Sequence, residues 1–104
     1  MSFAYVFPTD QEVEVLELDA SQPLTLSKLQ ELVGGYIEIL HLHNVCFAYG
    51  DINIEAKDAI MVLNEEGKIR QMDYNMAGTV LMRANNIDDF AVGPVIVCSS
   101  ELIR

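Results

Sequence analysis

Lys68 and Arg70 stand two residues apart, and in a strand that spacing turns both side chains to one face. Asn75 has the side chain of a helix N-cap, behind which free backbone N–H groups attract anions. Tyr36 follows the pair Gly34-Gly35, where the backbone is bare enough for a planar ligand to approach. Residues 64–83 carry Lys68, Arg70 and Arg83, half of the six Lys and Arg in the chain. Together these residues describe an anion site: Lys68 and Arg70 pairing with phosphate, Asn75 completing the contact, and Tyr36 stacking on a base. A charged, solvated hairpin followed by a capped helix explains the same residues equally well.

Other constellations are thinner. His41, His43 and Cys46 have the types of a zinc site, but three ligands inside an apolar strand with no nearby fourth form an incomplete set. Hydrogen-bonded strand histidines are the preferred reading, and no metal or other cofactor is expected. A Cys–His nucleophile would need a helix N-terminus or a cationic neighbour to lower the thiol pKa, and neither Cys46 nor Cys98 has one in sequence. The pairs Glu65-Glu66 and Asp88-Asp89 read as solvated turns. Gly34-Gly35 follows a helix instead of preceding one, so it is a structural corner and not a phosphate loop. No catalytic arrangement emerges, and the expectation is a protein that is not an enzyme.

The elements that must position these residues belong to one domain of 104 residues. Sixteen Asp and Glu against six Lys and Arg give a net charge of −10, which argues against direct nucleic-acid binding. No apolar run is long enough to cross a bilayer, and the N-terminal residues lack a basic signal-peptide segment, so no membrane contact and a cytoplasmic location are expected. Cys46 and Cys98 are expected reduced and buried. A mean hydropathy of +0.22 is high for so small a chain and predicts a homo-oligomer.

Phe3–Phe7 and Glu12–Leu18 read as strands, the second with an exposed Glu row. Leu24–Val33 is the clearest helix: Thr25 or Ser27 caps it, and Leu26, Leu29, Leu32 and Val33 form its apolar stripe. Tyr36–His43 and Ala59–Leu63 follow as strands, separated by a weakly patterned stretch with a turn at Gly50-Asp51. Asn64–Gly67 then reads as a hairpin turn into a Lys68–Met72 strand. A helix from Asn75 to Arg83 places Met76 and Val80 inward, with Ala77 and Leu81 as further inward candidates. Phe90–Cys98 is a last strand whose first half, by Pro94, is an edge or sits beside a bulge. The order ββαβββαβ predicts an α+β fold with a mostly antiparallel sheet and two short helices near residues 25–34 and 75–83.

Three segments in this order, LQELVGGYIE at residues 29–38, LNEEGK at 63–68 and the Tyr74-Asn75 helix start, closed by the strand VGPV at 92–95, resemble a family of small proteins of unknown function. Its members are encoded by bacteriophages, mobile elements and some bacteria, and the similarity covers residues 24–98. The resemblance implies an accessory protein without a catalytic motif. By analogy with other small phage proteins, the expected role is counter-defence by stoichiometric capture of a small anionic, nucleotide-like signal. The alternative is an acidic inhibitor or nucleic-acid mimic that occupies a basic site on a host protein, with Glu12, Glu14 and Glu17 on its working face. Cations clustered around a pocket would favour the first, and an unbroken acidic face with no pocket the second.

Overall fold

The computed structural model describes residues 2–10 and 14–103. Ala4–Phe7 forms β1, and the short β2 keeps only Leu16–Glu17 of the expected second strand. Part of that expectation, residues 11–13 including Glu12, lies outside the described residues. Helix α1, Leu26–Val33, begins where the Thr25 hydroxyl accepts from the Lys28 N–H at 3.2 Å. It ends at Gly34, whose φ of 81° is cheap only for glycine. Leu29 and Val33 are buried on its inner side, whereas Leu26, expected in the stripe, points to solvent from the first turn.

Two long strands come next, β3 (Ile37–Tyr49) and β4 (Ile52–Asn64), paired from end to end with one gap and turning at Gly50. The weakly patterned stretch is therefore strand. Its pattern was hidden because Asn44 takes a φ of 53° and the ladder omits the pair Asn44–Lys57. Burial changes phase there, from Leu42 to Val45 and Phe47, which breaks the period of two that identifies a strand. The far arm curls so that Phe47 and Tyr49 meet Phe7, with ring centroids 5.9 and 5.8 Å away.

The strand expected over Lys68–Met72 is not formed. Residues 65–71 coil in successive turns, with Arg70 N–H bonded to Glu66 C=O at 2.9 Å and Met72 N–H to Gly67 C=O at 2.9 Å. Asn64 starts this coil: its side-chain oxygen accepts from the Glu66 N–H at 2.8 Å, while its amide nitrogen donates to Val33 C=O at 3.1 Å. Lys68 and Arg70 consequently do not share a strand face.

The chain then forms β5 (Tyr74–Asn75), α2 (Met76–Ala84), β6 (Ala91–Val92) and β7 (Val95–Ser99). The single strand expected over Phe90–Cys98 is instead broken at Gly93-Pro94 into β6 and β7, which belong to different sheets, because Gly93 takes a φ of 73° and Pro94 has no N–H for a ladder. Ala77 and Leu81 are buried, whereas Met76 and Val80 face outward, contrary to the inward placement, at 42% and 49% exposure. Gly78 is the reason. A Cβ there would lie 2.8 Å from Ala91 Cβ, so the helix sits closest to the sheet at Gly78. Residues two positions away, about 200° around the axis, must point out.

The main sheet has the order β2-β1-β7-β4-β3 with every pairing antiparallel, and β5 and β6 form a separate two-stranded sheet. One face of the main sheet packs Val6, Ile60, Val62 and Ile96 beneath Leu29 and Val33 of α1. The other packs Phe7, Met61, Val95 and Val97 beneath Ala77, Leu81 and Met82 of α2. The fold is α+β. Among the described residues β3 pairs only with β4, so its outer edge is open. No helix is long and apolar enough to cross a membrane among the described residues.

The cysteines divide. Cys98 lies buried in β7, where loss of water pushes its thiol pKa up to about 12. Cys46 is exposed on the hairpin arm, because the phase change at Asn44 turns it away from the core. A thiol reagent should therefore label one cysteine, Cys46, rapidly in the native protein and Cys98 only after denaturant is added. Rapid labelling of both would contradict the burial of β7.

Candidate functional site

The structure separates the residues expected to hold an anion. Lys68 Nζ donates to Asp89 Oδ1 and sits 4.4 Å from the centroid of the Phe90 ring. The hydrogen bond from Lys68, with a second from the Phe90 N–H, holds the Asp89 carboxyl below its usual value of 3.8. Arg70 turns the other way, and its Nη1 donates to Gly34 C=O at 2.8 Å. That contact clamps the coil to the end of α1. It also brings the guanidinium beside Gly35, where a Cβ would lie 3.0 Å from Arg70 Nη1. Tyr36 follows in the chain with 65% of its surface exposed, and its carbonyl accepts from the Glu65 N–H at 2.8 Å.

Asn75 caps α2 as expected, but it is fully buried. Its Oδ1 accepts from the Gly78 N–H at 2.9 Å, and its Nδ2 donates to Phe7 C=O and Gly93 C=O, both at 2.9 Å. Thr79 continues the network, donating to Asn75 C=O at 2.8 Å and accepting from the Ala91 N–H at 2.9 Å. These polar atoms join β1, α2 and the β6–β7 corner. Their work is structural.

What the coil does build is a cleft of about 220 Å³ between it, the start of β3 and the segment before β6. Leu63, Val92, Ile69 and Phe90 supply its apolar walls. Glu38, Glu65 and Asp89 are the carboxylates among its lining residues, against the single ammonium of Lys68. Ile69 is 83% exposed, and the Tyr74 ring lies 6.4 Å from that of Phe90, extending the apolar surface. Tyr36, Arg70 and Asn75 are not part of this lining. Glu38, Asp89 and Phe90 escaped sequence reasoning, because segments far apart in the chain meet here and no local spacing announces it.

His43 Nδ1 lies 3.2 Å from Asp58 Oδ1, and both groups are exposed. Cys46 stands opposite Glu55 in the ladder. No group of three or more His, Cys, Asp or Glu side chains poised to hold a metal ion occurs among the described residues.

No curated protein and no solved structure matches the chain. The family described as Domain of unknown function (DUF3846) matches residues 1–102. With a match over that span, the chain belongs to the DUF3846 family.

Proposed function

We propose that this protein is a non-enzymatic binding module that occupies a basic surface on a partner protein, in the manner of an acidic inhibitor or nucleic-acid mimic. A pocket is present where this reading expected none, but the charge of its lining carries the reading: three carboxylates against one ammonium, and that ammonium already bonded to Asp89. The net charge of −10 extends the same preference over the whole molecule and speeds encounter with a cationic partner. A phage-type accessory role in the host cytoplasm suits stoichiometric occupation, and the unpaired cysteines suit a reducing compartment. A homo-oligomer is part of the proposal, supported by the open edge of β3 and by Ile39 on it at 36% exposure.

Capture of a small nucleotide-like anion is supported by one arrangement, the exposed Tyr36 ring next in the chain to the glycines that Arg70 reaches. Native mass spectrometry of the protein purified from its own cells separates the two readings. The expected spectrum shows a homo-oligomer carrying a basic protein and no small-molecule adduct. A stoichiometric nucleotide adduct that Arg70→Ala abolishes would overturn the proposal.

A further inference from the structure

We infer that the cleft is a cage for a partner's arginine or lysine side chain, and that Lys68 is its intramolecular occupant. This deepens the acidic-module reading and rests on it.

The cleft offers the three things a cationic side chain with an aliphatic stem requires. Leu63 and Val92 give the stem an apolar surface, as such stems prefer. The Phe90 ring presents its face to a cation, and an ammonium already stands 4.4 Å from its centroid. The carboxylates of Glu38, Glu65 and Asp89 supply acceptors. Lys68 satisfies only one of these carboxylates, Asp89, so an excess of two negative charges lines the site. The chain thus uses its own lysine to show what chemistry the cleft accepts. A guanidinium suits the remainder better than an ammonium, since its plane lies flat on an aromatic face and its fork pairs with carboxylates.

The occupant sets the sign of the decisive experiment. A lysine that binds ligand phosphate weakens binding when removed. A lysine that fills a cation site strengthens binding of another cation when removed, because Asp89 and the Phe90 face become free. The probe is a hexa-arginine peptide titrated into the full chain at fixed ionic strength and followed by backbone amide shifts. Wild type is compared with Lys68→Met, which keeps the aliphatic stem, and with Lys28→Met on the exposed side of α1, which removes the same charge elsewhere.

Shifts should concentrate at Ile69, Asp89, Phe90 and Val92. Lys68→Met should bind roughly tenfold tighter than wild type, the worth of about one charge-assisted hydrogen bond, while Lys28→Met should stay within about twofold. Saturable binding with shifts elsewhere, or with both variants equal, would overturn the cage and leave the acidic-module reading standing. Weaker binding by Lys68→Met would also overturn the cage. No binding by wild type or Lys68→Met would overturn both.

Discussion

Asn75→Ala is expected to destabilise the fold by about 3 kcal/mol or more, enough to lower the melting temperature by roughly 12 °C or more in a domain of this size. The side chain is fully buried and makes three hydrogen bonds, to Phe7 C=O, Gly93 C=O and the Gly78 N–H. Truncation leaves those groups without these partners, and each such buried group costs about 1–3 kcal/mol. Asn75→Asp gives no rescue: it keeps an acceptor for Gly78 but sets a buried carboxylate against two carbonyl oxygens. Arg70→Ala is the comparison, since its guanidinium is exposed and solvent screening limits its single described bond, to Gly34 C=O, to about 1 kcal/mol. Thermal and urea denaturation of the three variants measure this directly. An Asn75→Ala protein as stable as wild type would remove the structural role assigned to the residue.

The same contrast shows which parts of the molecule were legible in its sequence. Both helices were, because their signals are local: a Thr25 or Asn75 side chain facing its own backbone, and Gly34 to end the first. The orientation of α2 was legible only in part, with Ala77 and Leu81 inward but Met76 and Val80 misplaced, because it depends on Gly78 meeting Ala91 across the fold. A strand at Lys68–Met72 was a reasonable expectation from alternation, but Asn64 bonds the backbone on both sides and starts a coil instead. The outer half of the β3–β4 hairpin was obscured by one residue, Asn44, whose positive φ shifts the buried positions out of phase. The site suffered most. Its anion reading followed the cations, whereas the cleft is defined by Glu38, Glu65 and Asp89, which come from three segments and look like ordinary solvated acids in the chain.

Glu38→Lys combined with Glu65→Lys is expected to have the largest effect on binding. Each reversal removes one acceptor of a charge-assisted bond worth about 1.5–3 kcal/mol and adds repulsion, so the pair should weaken a basic partner by about a hundredfold or more. The fold should be little affected, because both side chains are exposed and neither carboxylate makes an ion pair among the described residues. Glu14→Lys with Glu17→Lys, at and beside β2, changes the net charge by the same amount outside the cleft. It therefore separates a local site from the general field of an acidic protein.

The most direct test of the acidic cleft as the working surface is the affinity of these two double variants and wild type for the hexa-arginine peptide at one ionic strength. The predicted result is a loss of about a hundredfold or more for the cleft pair and only a few-fold loss for the β2 pair. Equal losses, or a cleft variant that binds as wild type does, would contradict the account.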